Sequence, residues 1–527
     1  MGKIFSRVWQ CCKGEESLSD PPSDAEECLP ISEPATSSVS HSPVSEQYPQ
    51  EVNESPSCIK QVTPSDATPL FLQSKLLKDH EAFLNYPILQ DKKTMEYVQK
   101  SKVMVIMKGL SGSGKSHIVR RIQKIYKDAV VCSADSYFMK DGIYQFKREE
   151  LKDAHKSCQQ KAQNAAQRGC HIIVIDNTNV QAWESKYYLK LTKEYNYTPL
   201  ILEPQTPWAM DPKELAERNS HGVSEDILAK KLKDYQPVLP LYYWWFLNEA
   251  DSKKVSMMVQ EWLRRALQVR RFFQDFTDST NLTSDEEILD YYSKNTEFGG
   301  YKVLHATAKV SKRGKAPNAM EYIDSPLVRK SIGKCFSLHI IGYVITPRTF
   351  GARLKLGESE LELWDMNDNE TETEETTRLT TSSNTEKLST CVKESSNVVE
   401  TESDNNIDCK KKGKLQMLEC HPTVSIISPE LKNDRFFPTS GKGSRAHLTL
   451  GCAPNVHART TGFDLINVIS CEQRVKEIEK SGDTESCKNK VETYSITEGV
   501  LKTYGKGIWV IYPEQEMVVS SLFSAFY

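Results

Sequence analysis

The sequence predicts a multidomain chain: an α/β phosphate-loop domain, then a two-lobed α+β domain, with a disordered amino-terminal tail and an internal acidic insertion. Three observations predict it. The apolar run Lys102–Met107 feeds directly into Gly109-Leu110-Ser111-Gly112-Ser113-Gly114-Lys115-Ser116, a complete GxxxxGK[ST] loop. Two His-x-Thr tripeptides, His305-Ala306-Thr307 and His447-Leu448-Thr449, recur in one register within alternating polar and apolar runs. Finally, the composition collapses into Ser, Pro and Glu over 15–66, and into Asp, Glu, Thr, Ser and Asn after Trp364. The predicted boundaries are 1–68 for the tail, 69–295 for the phosphate-loop domain with a helical linker, and 296–527 for the second domain. The insertion within the second domain spans about 365–433.

A chain of 527 residues suits two or three domains plus tails, and a hydrophobic content of 38% is low enough to require unfolded stretches. A formal charge of −3 predicts no strong attraction of the whole molecule to nucleic acid or membrane, so any such binding belongs to local patches. The 14 cysteines show no metal-ligand spacing, and no apolar run is long enough to cross a bilayer, which fits a reduced cytosolic setting. The start Met1-Gly2-Lys3-Ile4-Phe5-Ser6 matches an N-myristoylation pattern, with Cys11 and Cys12 placed for palmitoylation. One acyl chain binds membranes only marginally and two hold, so Gly2 with Cys11 or Cys12 predicts a lipid-anchored protein on the cytoplasmic face of a membrane.

In the first domain, the glycines Gly109, Gly112 and Gly114 let backbone N–H groups turn inward around phosphate oxygens, and the following helix adds its dipole. Lys115 is expected to reach the β- and γ-phosphates of ATP or GTP, and Ser116 to ligate Mg²⁺. Ile118, Ile122 and Ile125 carry the helical period. Ala129–Ser133 and His171–Ile175 read as further strands, ending at Asp135 and at Asp176-Asn177-Thr178-Asn179. A carboxylate at a strand's carboxyl end faces the ligand crevice of an open α/β sheet, so Asp176 is a candidate to order Mg²⁺ and Asp135 to accept a proton from an attacking hydroxyl. For Asp135 a capping role weighs equally. Arg218 lies in a basic segment able to reach a transferring phosphoryl group.

The aromatic run Leu239–Phe246 predicts a core or inter-domain seam rather than a base-stacking platform, and Val255–Phe276 a helix that packs against the first domain or bridges to the second. In the second domain, period-2 alternation puts His305 beside Thr307, and His447 beside Thr449, with Leu304, Ala306, Ala308, Ala446, Leu448 and Leu450 facing a core. Lys309, Lys312, Arg313 and Lys315 form a basic group suited to a nucleotide or RNA backbone, or a solvated loop. Phe336–Val344 reads as a central strand with a structural His339, Phe463, Ile466 and Ile469 as a helix, and Gly507–Tyr512 as a last core strand.

Two histidines on opposite sides of a phosphorus can supply a general base and a general acid, and two threonine hydroxyls can hold the non-bridging oxygens. This chemistry needs no cofactor. The chain resembles the 2′,3′-cyclic-nucleotide 3′-phosphodiesterase family, including its fish regeneration-induced members. The resemblance is carried by the phosphate loop, Asp176–Asn179, Leu239-Pro240-Leu241-Tyr242, Val303-Leu304-His305, Gly314-Lys315-Ala316, Val344-Ile345-Thr346-Pro347, Gly351-Ala352-Arg353 and Gly443–Gly451. It implies a polynucleotide-kinase-like first domain and a two-His phosphoesterase second domain. It further implies hydrolysis of 2′,3′-cyclic nucleotides, or of cyclic phosphates at RNA ends, to 2′-phosphates, with His305, Thr307, His447 and Thr449 in the catalytic positions. Membrane and cytoskeletal partners (tubulin or actin) are implied as well. A 5′-hydroxyl kinase activity and a mainly scaffolding role are the alternatives. The family's carboxy-terminal prenylation box has no counterpart at Ser524-Ala525-Phe526-Tyr527, which leaves the amino-terminal acyl signals as the expected anchor.

Overall fold

A fully apolar strand needs cover on both faces, and β1 (Val103–Met107), buried at every residue, has it. The computed structural model describes residues 83–141, 143–292, 303–369, 441–481 and 491–527. The acylation signals at Gly2, Cys11 and Cys12, the tail and most of the predicted insertion lie outside them. In the first domain β1 pairs in parallel with β5 (Ile172–Ile175) and β6 (Thr198–Leu202), and β2 (Val130–Cys132) adds to β5, in the order β2-β5-β1-β6. Val103, Val105 and Met107 pack against the helix Lys115–Ile125, while Met104 and Ile106 pack against Leu151–Gln167. The small hairpin of β3 (Met139–Lys140) and β4 (Ile143–Tyr144) stands apart.

The second sheet begins earlier than the predicted boundary. Its strands are β7 (Tyr242–Leu247), β8 (His305–Val310), β9 (Cys335–Ile345), β10 (Thr349–Lys355), β11 (His447–Cys452), β12 (Glu492–Ile496), β13 (Gly499–Gly505), β14 (Ile508–Pro513) and β15 (Met517–Phe526). They run in the order β10-β11-β8-β7-β15-β9-β14-β13-β12, and β9 also pairs with β10. Six strands therefore close into a barrel-like ring, with β14, β13 and β12 extending from it. One edge of the long β9 pairs with β10, and its other edge is shared by β15 and β14. The two expected lobes thus share one continuous sheet.

The helices Glu249–Leu267 and Arg270–Thr280 bury Val255, Trp262, Leu263, Phe272 and Phe276 in the core of this second sheet, so the predicted linker belongs to it. The sheet's last strand, β15, escapes the sequence reading because Ser521 and Ser524 interrupt its apolar pattern. Both are buried, and their hydroxyls donate to carbonyls of Phe336 (3.3 Å) and Pro199 (2.5 Å). The bond to Pro199 joins β15 to β6, and Leu522 packs into the first domain's core. Tyr97 Oη donates to the Phe246 carbonyl (2.7 Å) and the Cys335 N–H to Thr94 Oγ1 (2.9 Å), so the two sheets form one unit.

Candidate active site

The two His-x-Thr segments open neighbouring antiparallel strands. β8 and β11 pair with Ala306 opposite Leu448. One step out in that register, His305 faces Thr449 and Thr307 faces His447, all four on one face of the sheet. Ala306, Ala308, Leu448 and Leu450 fill the core on the other face. Sequence alternation places each pair on one face; the topology makes the two pairs neighbours.

Both imidazoles are anchored alike. His305 Nδ1 lies 3.2 Å from the Val303 carbonyl, and His447 Nδ1 lies 2.8 Å from that of Arg445. A carbonyl only accepts, so each Nδ1 carries the hydrogen and each neutral ring keeps Nε2 as its acceptor. Burial lowers the pKa of His305 to about 4, with a smaller lowering from His447 and an opposing lift from the Val303 carbonyl. Burial likewise lowers His447 to about 4, and the Arg445 cation adds to the effect. Thr449 Oγ1 lies 3.1 Å from Thr461 Oγ1 and 3.2 Å from the Ala458 carbonyl, at the start of the helix Thr460–Ser481. That helix approaches at van der Waals distance. A Cβ on Gly351 would sit 2.5 Å from Thr461 Cγ2, and one on Gly462 would sit 3.1 Å from His447 Cε1.

Two acidic residues assigned to the insertion belong to the site's frame. Asp368 accepts from the Gly443 (3.0 Å) and Arg445 (3.2 Å) N–H groups, fixing the turn before His447. Asp365 pairs with the buried Lys309 at 2.5 Å. Sequence reasoning missed both, because a carboxylate among many carboxylates carries no pattern. Lys309 also departs from the predicted basic group: Trp244 pairs with Thr307 but Tyr243 with Lys309, a bulge that turns Lys309 toward Tyr322 and Asp365. Lys312 and Arg313 adopt left-handed backbone in a turn whose N–H groups donate to Leu241 and Pro240. His339, expected to be structural, lies with Nδ1 3.1 Å from Glu516 Oε1.

In the first domain Gly109, Gly112 and Gly114 have φ of 152°, 84° and 106°, which opens the loop in a way side chains resist. A Cβ on Gly112 would meet the Leu215 carbonyl at 2.5 Å. Lys115 Nζ donates to the Leu110 carbonyl (2.9 Å), and burial lowers its pKa to about 8. Ser116 Oγ donates to Asp176 Oδ2 (3.2 Å), which joins the two predicted Mg²⁺ ligands, and burial raises the Asp176 pKa. Asp135 accepts from Tyr144 Oη (3.3 Å) and faces His221 Nε2 at 3.7 Å. Arg218 pairs with Glu214 (2.8 Å) and lies over the Trp208 ring, whose indole N–H donates to the Gly112 carbonyl of the loop (3.3 Å). Lys108, which the sequence reading passed over, is buried with Nζ on the Asn179 and Val180 carbonyls and holds the loop after β5 to the phosphate loop.

The family described as "2′,3′-cyclic nucleotide 3′-phosphodiesterase" matches residues 239–406 and 431–527, about half of the chain. The chain belongs to this enzyme family. The match starts at the doorstep of β7, in agreement with the sheet rather than with the predicted boundary, and the segment it skips lies within the predicted insertion. A second family, described as "AAA domain", matches residues 104–240, from β1 to the end of the phosphate-loop unit. Proteins named 2′,3′-cyclic-nucleotide 3′-phosphodiesterase from Pongo abelii and Mus musculus are each 28% identical over 450 residues, covering 84% of this chain and 87% of theirs. NEDD4-binding protein 2 of Homo sapiens is 44% identical over 134 residues, 25% of this chain and 8% of its own length.

Proposed function

We propose that the chain hydrolyses 2′,3′-cyclic phosphates, of free nucleotides or at RNA 3′ ends, to 2′-phosphates. The observation that carries this reading is the Ala306–Leu448 pairing, whose antiparallel register sets His305 against Thr449 and Thr307 against His447 on one face of the sheet. In the proposed reaction one imidazole Nε2 takes a proton from water as the water oxygen bonds to phosphorus. The P–O3′ bond breaks, and the other imidazole gives its proton to O3′. The Thr307 and Thr449 hydroxyls hold the non-bridging oxygens as charge builds on the five-coordinate phosphorus. Both lowered histidine pKa values favour neutral rings before substrate binds. The anionic phosphate then favours protonation of one of them on binding. Assay of 2′,3′-cyclic AMP hydrolysis tests the reading. Loss of turnover in His305→Ala and in His447→Ala is expected, and undiminished turnover in either would reject it.

A second reading concerns the first domain, and the Ser116–Asp176 contact favours it. Gly109, Gly112 and Gly114 would cradle the phosphates of ATP or GTP, Lys115 would pair with them, and Ser116 with Asp176 would hold Mg²⁺, which neutralises phosphate charge when bound. Asp135 would accept the proton of a 5′-hydroxyl acceptor, and Arg218 would have to leave Glu214 to assist. Label transfer from γ-labelled ATP to a 5′-hydroxyl oligonucleotide tests it, with Lys115→Ala expected to abolish transfer. No transfer by the wild-type protein at any Mg²⁺ concentration would sink the kinase reading.

A further inference from the structure

Only half of the aromatic run on β7 serves the core. Tyr243 and Trp245 enter the core shared with the helices, whereas Trp244 and Phe246 stand on the face that carries His305. On that face the strands flanking β7 hold ring partners on both sides of Trp244. From β8, His305 lies flat against it, with centroids 3.6 Å apart and planes 17° apart. From β15, Phe526 stacks on it at 4.1 Å and 21°. Beyond Phe526, Lys193 Nζ from the helix Lys186–Tyr195 of the first domain sits 4.6 Å from the ring centroid. A column of rings thus runs across three strands and ends on His305. Trp244 retains 1% of its surface.

We propose that Trp244 is a positioning residue for the phosphodiester chemistry: its indole face fixes the plane of the His305 imidazole and keeps water off that side. The proposal rests on His305 being a proton-transfer group. The hydrogen bond from Nδ1 to Val303 fixes one edge of the ring, and the terminal torsion of histidine is broad. A flat aromatic neighbour removes that freedom. Among the described residues, the ionisable groups around the column include His447 on β11, Arg445 in the turn before it, Lys193 on its helix, Arg313 after β8, which faces Lys193, and Tyr242, whose ring stacks on Trp244 at 5.3 Å. Those that carry charge are cationic or become so, and they oppose protonation of His305 in the same direction as its burial.

The test compares the full-length wild type with Trp244→Phe and Trp244→Leu on 2′,3′-cyclic AMP across pH. Trp244→Leu is expected to lower kcat about tenfold or more, equivalent to about 1.4 kcal/mol, with KM little changed. Its rate limb governed by His305 should move to higher pH as water reaches the ring, and Trp244→Phe should restore most of both. An active wild type with an unchanged Trp244→Leu pH profile and kcat would overturn the positioning role alone; a wild type without hydrolysis would overturn the phosphodiesterase reading and this one with it. Fluorescence gives a second measure without a Trp244 variant. Protonation of a histidine stacked on an indole quenches its emission, so the wild type should show an acid quench that His305→Ala lacks. The same quench in both proteins would contradict the stack.

Discussion

At the scale of single residues, the site turns on two imidazoles that are tethered alike and differ in surroundings. His305 lies against an indole, and His447 lies near Arg445. Removing either proton-transfer group should lower kcat by about 10²–10⁴. Thr449→Val is expected to act on kcat more than on KM, because in the proposed reaction its hydroxyl serves charge that develops in the transition state. The lowered pKa values also make a stability prediction. Each histidine titrates near 6.5 in the unfolded chain and near 4 when folded, so between these values the unfolded state binds more protons. The stability is fully present above pH 6.5 and is lost as pH falls through 6.5 toward 4. Melting temperatures across this window should fall less steeply in His305→Gln/His447→Gln than in the wild type. Parallel curves would contradict the assigned burial.

At the scale of elements, the helix Thr460–Ser481 is held over β10 and β11 by a buried pair. Arg353 donates to both Glu472 oxygens, at 2.6 and 3.0 Å, and Tyr512 Oη reaches Glu472 at 2.5 Å. Breaking a buried pair strands its partner's charge, so Arg353→Met should destabilise the fold by about 3–5 kcal/mol. Adding Glu472→Leu should recover much of that loss, because no charge remains buried. Chemical denaturation of the single and double variants checks it, and a double variant no better than the single would count against the pair. The alternation of β8 and β11, the phosphate loop and the strands β1, β2 and β5 of the first domain were legible in sequence because each is a local pattern. The bulge that turns Lys309 inward, the ion pair of Asp365, the backbone bonds of Asp368, the strand β6 and the serine-interrupted β15 were not. Each is decided by a partner far along the chain, which no local pattern encodes.

At the scale of the molecule, the two sheets share a seam in which Leu522 and Ser524 of β15 meet the first domain. Because that seam is continuous, ATP with Mg²⁺ should raise the melting temperature of the wild type by mass action and leave Lys115→Ala unchanged. An equal shift in both would contradict nucleotide binding at the loop. The acyl signals make a separate prediction: Gly2→Ala should move the protein from membranes to the soluble fraction in cells, and unchanged fractionation would reject the anchor. The central claim is that the paired His-x-Thr face opens the 2′,3′-cyclic phosphate at its 3′ oxygen. The most direct measurement is product analysis of 2′,3′-cyclic AMP turned over in ¹⁸O-labelled water. The account predicts 2′-AMP carrying the label on its phosphate from the wild type, and no product from His447→Ala. Labelled 3′-AMP, or unchanged 2′-AMP formation in His447→Ala, would contradict it.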